Sequence, residues 1–419
     1  MVINVITLGC SKNLVDSEHL LYQFKANGID VMHNEPDKPA DIVIINTCGF
    51  ILDAKEESVD TILHFIERKK KGFLKRLYVM GCLSERYDND LRKELPIVDG
   101  FYGVRDWEKI MGDIDLRYDS NLANNRFITT PDHYAFLKIS EGCNRKCSFC
   151  AIPLIRGRQK SVSVDDLAEE AENLVAMGTR ELILIAQDLT NYGVDRYGKP
   201  KLPELLERLL DIKELDWIRL HYAYPTGFPD EIMCMMASEE RICNYLDIPV
   251  QHVNDRILKE MGRGHSRSKL EKLLHSFRSQ IPDVALRTTI LAGFPGETGQ
   301  DHQESIELIK KTQPDTVNVS KYSARKGTIA AKMKQVDRHV INARSIDMSF
   351  LCNDIAKKRN EMYLGKEVEF TVLEKMKGYV GRNKYYKQVV VEKSEIKKRE
   401  KVKISSYGTS FIKGEIIRL

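Results

Sequence analysis

Short apolar runs alternate with amphipathic stretches over the first hundred positions. "VINVITL" (2–8) leads into a helical pattern over about 15–27. "DIVIINT" (41–47) leads into one from about Ala54 to Lys69, where Val59, Ile62, Leu63 and Ile66 recur at helical spacing, and "RLYVM" (76–80) leads into a third. Strands that are apolar throughout, separated by helices, predict a parallel sheet covered on both faces, hence an α/β domain. A second series begins at "YAFLKI" (134–139) and continues through "ELILIA" (181–186), "WIRL" (217–220), "YLDI" (245–248), "ALRTTIL" (285–291) and "TVNVS" (316–320). Helical patterns separate these runs, among them "VDDLAEEAENLVAM" (164–177) with Ser163 placed to cap it. Six βα-type units suit an open, partial barrel, whose sites lie at the carboxyl ends of its strands. A helical connector over roughly 337–363 stops at Gly365. Beyond it "EVEFTVLEK", "GYVGRNKYYKQVVVE", "EKVKISSYG" and "FIKGEIIRL" alternate with turn residues and predict a small β-barrel. The expected organisation is an α/β domain over 1–115, a partial (β/α)6 barrel over 129–363 and an all-β barrel over 366–419.

Composition fits this picture. Hydrophobic residues make up 42% and charged residues 30% of 419 positions, a globular balance long enough for several cores. No apolar run approaches the roughly 20 residues that span a bilayer, and the N-terminus lacks the pattern of a secretory signal, so a cytoplasmic protein without membrane association is expected. Nine scattered cysteines do not look like a disulfide framework and point to metal or catalytic roles. Net charge is +4, but residues 366–419 carry 14 Lys and Arg against 7 Asp and Glu. That basic tail is compatible with a nucleic-acid partner and equally with a solvated surface.

"EGCNRKCSFCAIPLIRGR" (141–158) carries Cys143, Cys147 and Cys150 in a loop directly after the first strand of the second series. A structural zinc site would want a fourth Cys or His, and the next cysteine is Cys234. A cubane iron–sulfur cluster held by three thiolates leaves one iron open to an outside ligand, and this reading is favoured over zinc. Cys-x3-Cys-x2-Cys with Phe149 before the last cysteine resembles the signature of radical S-adenosylmethionine enzymes. The resemblance implies a 4Fe–4S cluster whose open iron binds S-adenosylmethionine and whose electron cleaves it to a 5′-deoxyadenosyl radical.

Cys10, Cys48 and Cys82 are far apart in sequence, yet each follows a predicted strand: "VITLGC", "VIINTC", "LYVMGC". Loops after neighbouring parallel strands converge on one edge, so a second metal site is preferred to three unrelated core thiols. Cys234, Cys243 and Cys352 fall in helical or irregular contexts and are read as packing thiols. The two trios together resemble the methylthiotransferases over essentially the whole chain. "TLGCSKNLVDSE" (7–18), "INTCGFILDAKEES" (45–58), "GCLSERY" (81–87) and "KISEGCNRKCSFCAIPLIRGR" (138–158) are most similar to the RimO-type branch. Matches continue in "AQDLTNYGVD", "RLHYAYP", "YLDIPVQH" and "RTTILAGFPGET".

That resemblance implies transfer of a methylthio group to the β-carbon of an aspartate in ribosomal protein twelve of the small subunit. It implies two 4Fe–4S clusters, one on Cys143, Cys147 and Cys150 and one on Cys10, Cys48 and Cys82, with S-adenosylmethionine as both radical source and methyl donor. Phe149, Gln187, Gly293 and Gly296 are the implied cofactor contacts, and an electron donor such as flavodoxin or ferredoxin is required. Asp188 beside Gln187 also suits a capping turn, Arg287 is a candidate partner for the ligand carboxylate, and His221 and His252 read as structural hydrogen-bonders. The last barrel resembles a TRAM domain, a substrate-docking module. Its "NKYYKQVVV" stands where the branch commonly has an acidic stretch, and basic residues among aromatics (Lys384, Tyr385, Tyr386, Lys387) suit RNA contact. Two rival readings remain at this stage: the same chemistry on a tRNA adenosine, and a non-catalytic iron–sulfur electron carrier. "GFPGET" and the paired trios argue against the carrier.

Overall fold

The computed structural model describes residues 1–396 and 398–417. The chain divides into two compact units, Met1–Asn144 with Ala151–Gly178 and Ile185–Gln187, and Arg145–Cys150 with Thr179–Leu184 and Asp188–Leu419. In the first unit five parallel strands lie in the spatial order Asp30–His33, Val2–Thr7, Ile42–Thr47, Arg76–Gly81, Gly100–Phe101. Successive side chains of a strand point to opposite faces, so a sheet covered twice needs apolar residues at every position. Val43, Ile45 and Val79 accordingly pack with Ile62 and Phe65 on one face, while Ile42, Ile44 and Tyr78 pack with Leu20 and Phe24 on the other. The covering helices are Ser11–Ala26, Leu52–Lys70 and Cys82–Glu94. The first starts at Ser11 rather than near 15, because Lys12 and Asn13 are buried polar residues of the helix and not a solvated turn. The two edge strands 30–33 and 100–101 were not expected from the apolar pattern; they are short and rest on few buried residues.

The same unit holds the strand Tyr134–Lys138 and a two-stranded antiparallel pairing of Ser140–Glu141 with Lys160–Ser161. Helix Val164–Ala176 follows, and the Ser163 side chain accepts a hydrogen bond from the Asp166 backbone N–H, as its capping position predicts. Arg126, fully buried, pairs with Glu170 at 3.0 Å and with Glu18, which ties that helix to Ser11–Ala26.

In the second unit strands Thr316–Lys321, Ala285–Ala292, Ile242–Asp247, Trp217–His221 and Glu181–Ile185 succeed one another across the sheet. The third begins three residues before the "YLDI" run, so Cys243 is a buried strand residue and not a helical or irregular one. Helix Arg338–Glu361 gives way to a turn that ends at Gly365, whose φ of +76° favours glycine. Strands Glu367–Lys375, Tyr379–Asn383, Gln388–Val391, Phe411–Ile416 and Arg399–Tyr407 then close a barrel around Phe370, Val389, Val402 and Ile412. Arg418 and Leu419, the end of the last expected strand, lie outside the described residues.

The "NKYYKQ" segment is turned inward. Tyr385 donates to Asp283 at 2.6 Å, and Tyr386 lies against His221 and Tyr245 with the Arg219 guanidinium 4.9 Å from its ring centroid. Lys387 is buried 3.5 Å from Asp315, which also meets Arg278 at 3.0 Å and Arg359 at 3.1 Å. Burial alone would raise the Asp315 pKa, but Lys387, Arg359 and Arg278 outweigh it and hold the group below the ordinary carboxylate range. Its stabilising contribution is therefore complete above the unfolded value of about 3.9 and is lost as pH falls through the lower folded value. Asp315→Ala, which strands three cations, is expected to cost ~3–5 kcal/mol, and Lys387→Met less. Urea titration followed by the fluorescence of Trp217, in the same unit, measures both; a loss under about 1 kcal/mol for Asp315→Ala would show that this carboxylate is not the hub.

Candidate metal centres

The strands ending at Thr7, Thr47 and Gly81 are adjacent and parallel, so their carboxyl ends share one edge of the sheet. Cys10, Cys48 and Cys82 follow those ends, at the start of a helix, in a loop and at the first position of a helix. Glycine lets the loops close on each other. A Cβ at Gly9, where φ is +91°, would fall 2.7 Å from the Cys48 Cβ and 3.1 Å from its Sγ, and a Cβ at Gly49 would fall 2.7 Å from the Cys82 carbonyl oxygen. Asn13 staples the edge: its amide donates to the carbonyls of Leu8 at 2.9 Å and Thr47 at 3.0 Å, while its oxygen lies 3.7 Å from the Cys82 Sγ. The Ser58 hydroxyl accepts from the Cys48 backbone N–H at 3.0 Å.

Cys10 is exposed and the other two thiols are buried. Burial pushes Cys82 up to about 12; Arg156 pulls it down, and Cys10 and Cys48 push it further up. Burial raises Cys48 as well, with Cys10 adding to the rise. Cys48 and Cys82, whose ionisation is disfavoured by burial and by neighbouring thiols, form a donor set that gains from a cation. Arg156 supplies part of that charge already. Its guanidinium, almost fully buried, donates to Asn13 and meets Glu141 at 2.6 Å and Asp16 at 3.2 Å, and Lys138 joins both carboxylates. Among the described residues no three His, Cys, Asp or Glu side chains close around a single ion. In a cubane each thiolate binds its own iron, so convergence on one point is not required.

The unit division falls inside the second cysteine loop. In the first unit, the Cys143 backbone N–H donates to the Gly157 carbonyl at 3.1 Å, and Gly142, at φ +75°, has no room for a Cβ beside the Arg158 carbonyl. In the second unit, the Ser148 N–H donates to the Met261 carbonyl at 2.9 Å, its own carbonyl accepts from Ala330, and the Phe149 carbonyl accepts from Arg325 at 2.8 Å. Phe149 is buried edge-on to Phe294, and Cys147 and Cys150 pack against the same apolar group with Ile257, Met261 and Tyr322.

Gln187 donates to Glu141 at 2.8 Å, and its side-chain oxygen is a buried acceptor with no partner among the described residues. Asp188 caps the turn Leu189–Asn191 and binds Arg145 at 2.6 Å, the structural alternative weighed for it. Gly293 and Gly296 both take positive φ; the space a Cβ would need is filled by Ile341 at Gly293 and approached by Glu260 at Gly296. The Glu297 carboxylate accepts from the backbone N–H groups of Gly293 and Phe294, so the turn is knitted from within. His252 accepts from the N–H groups of Val253 and Asn254, and burial lowers it to about 4. Arg287 lies 4.0 Å from Asp247. Asn13, Arg156, Tyr224 and Arg263 were not singled out from sequence; the signal for the first two was their position inside the cysteine-bearing runs.

Residues 137–309 match the radical SAM superfamily, and residues 2–103 match the uncharacterized protein family UPF0004. The radical S-adenosylmethionine methyltransferase TsrM from Kitasatospora setae, solved with cobalamin and a [4Fe-4S] cluster, superposes with a TM-score of 0.59 over 79% of this chain and 77% of that one. At 12% identity that likeness shows the fold alone. Fold, cysteine loop and matched superfamily together define a radical S-adenosylmethionine protein. The ribosomal protein uS12 methylthiotransferase RimO of Phocaeicola vulgatus is 46% identical over 91% of this chain and 89% of its own length, and that of Christiangramia forsetii is 47% identical over 91% and 85%. The chain belongs to the family of ribosomal protein uS12 methylthiotransferases.

Asn13→Ala removes two donors from buried carbonyls and the acceptor of Arg156. A loss of about 2 kcal/mol or more is expected, read from the fluorescence of Trp107 in the first unit during urea unfolding. An unchanged midpoint would show that the edge holds together without this staple.

Proposed function

We propose that this chain attaches a methylthio group to the β-carbon of an aspartate in ribosomal protein uS12. The observation that carries the reading is the convergence of three cysteine-bearing strand ends in a chain that also has the radical S-adenosylmethionine loop. An aliphatic C–H bond offers no acidic proton to a side-chain base at neutral pH, so a cofactor must open it. Cys143, Cys147 and Cys150 would hold one 4Fe–4S cluster, and Cys10, Cys48 and Cys82 the other. Bound there with S-adenosylmethionine, these groups supply the radical, the methyl group and a site for the sulfur to be inserted.

The chain's own residues prepare that chemistry. Phe149, Phe294 and Tyr322 back Cys147 and Cys150 with an apolar group, and the buried Phe149 anchors the loop. The unpartnered oxygen of Gln187 offers an acceptor to the ammonium group of S-adenosylmethionine. The turn that carries Gly293 and Gly296 would border the adenosyl group. By function the chain divides into 1–115 for the second cluster, 129–363 for radical formation and 366–419, a TRAM-type barrel, for substrate docking. With Tyr385, Tyr386 and Lys387 engaged within their own unit, contact with ribosomal RNA would fall to outward lysines such as Lys393, Lys401 and Lys403. The reaction takes place in the cytoplasm, with electrons from a small carrier such as flavodoxin or ferredoxin. No helix among the described residues is long and apolar enough to cross a membrane.

Anaerobically reconstituted protein should hold about eight irons per chain. Replacing Cys143, Cys147 and Cys150 together with alanine should remove about half of them and abolish formation of 5′-deoxyadenosine. Replacing Cys10, Cys48 and Cys82 should remove the other half, leave 5′-deoxyadenosine detectable and abolish the methylthiolated product. Full iron and cleavage in the first variant, or full product in the second, would contradict the assignment of that trio.

A further inference from the structure

Among the described residues, buried arginines are matched to carboxylates, with one exception. Arg126 has Glu18 and Glu170, Arg156 has Asp16 and Glu141, and Arg219 has Glu181. Arg263 is 5% exposed and pairs with no carboxylate among the described residues. One of its terminal nitrogens donates to the Pro249 carbonyl at 2.5 Å; the other points at the Cys147 Sγ, 3.5 Å away. Its guanidinium lies 4.1 Å from the centroid of the Tyr224 ring, and the Arg145 guanidinium lies at the same distance from that ring. The Tyr224 hydroxyl donates to the Arg263 carbonyl at 2.8 Å and is itself 3.6 Å from the Cys147 Sγ. A buried cation without a counter-charge is costly, and a neutral thiol does not supply one. A thiolate does, and Cys147 is a thiolate when it binds iron.

We propose that Arg263, with Tyr224, is a positioning residue that sets the reduction potential of the cluster held through Cys147. This rests on the assignment of that loop under the proposed function. A hydrogen bond and a positive charge at a ligating sulfur stabilise the reduced, more negative cluster relative to the oxidised one, so they raise its potential. Cleavage of S-adenosylmethionine would need one electron in this cluster, and a potential raised by the arginine would make that electron easier to supply. The Tyr224 ring, stacked on both guanidiniums, holds Arg263 on the sulfur and adds a weaker hydroxyl dipole of its own.

The test uses the full-length chain carrying Cys10→Ala, Cys48→Ala and Cys82→Ala, so that only the Cys143, Cys147 and Cys150 cluster contributes. Its midpoint potential is measured by redox titration with electron paramagnetic resonance detection. Arg263→Gln should bind the same iron as its parent but titrate at a more negative potential. Tyr224→Phe should shift the same way by less, and Arg263→Lys should recover part of the loss. Because Tyr224→Phe keeps the arginine and the ring, it remains informative if Arg263→Gln fails to load iron. An intact cluster with an unmoved potential in Arg263→Gln, or in Tyr224→Phe where that variant is the one that loads, would overturn this inference alone. Absence of a cluster from the parent would overturn the loop assignment and this inference with it.

Discussion

Parallel pairing of strands 2–7, 42–47 and 76–81 obliges their carboxyl ends to share one edge, and the gathering of Cys10, Cys48 and Cys82 depends on that constraint. Thirty-seven residues separate Cys10 from Cys48 and thirty-three separate Cys48 from Cys82, distances over which no local structure could bring three thiols together. The sheet does so without any side chain having to reach. What remains is to close the three loops without collision, and here the glycines beside the cysteines and the Asn13 amide do the fine placement.

Charge is the second organising term. Inside both units cations and carboxylates are buried in matched groups rather than left to water. Lys138 and Arg156 face Asp16 and Glu141, and Arg126 faces Glu18 and Glu170. Such groups add little net stability over an apolar core of equal volume, but removing one member is expensive, which fixes the loops that carry them in a single arrangement. The Arg156 group joins the edge bearing Cys82 to Glu141, two positions before Cys143, and to Gln187. Arg263, with sulfur where the others have oxygen, departs from this rule at a cysteine loop, a departure with chemical meaning.

Much of this was legible in the sequence because the sheet of the first unit is buried on two faces, which writes its central strands as nearly continuous apolar runs. The strands of both series and of the final barrel appear close to where those runs lie. Errors fall where a polar residue is buried by a distant partner. The first helix was expected only from about 15 because nothing nearby says that Asn13 will bridge to Thr47. Lys387 reads as an outward cation because Asp315, which draws it in, lies 72 positions earlier. Cys243 was misplaced because Asn244 interrupts the apolar run before Tyr245, although both belong to one strand. The candidate cysteines could be singled out by residue type and strand position but their surroundings could not: the arginine that faces the Cys147 sulfur comes from a separate loop more than a hundred residues later.

The central claim is that two separate cysteine trios serve one reaction on a protein side chain. Its most direct test is mass spectrometry of ribosomal protein uS12 and of tRNA, each incubated anaerobically with the reconstituted protein, S-adenosylmethionine, a sulfide source and a reductant. The account predicts a single aspartate of uS12 carrying an added methylthio group at its β-carbon and no methylthiolated nucleoside. Modified adenosine in the tRNA with an unmodified uS12 would contradict it.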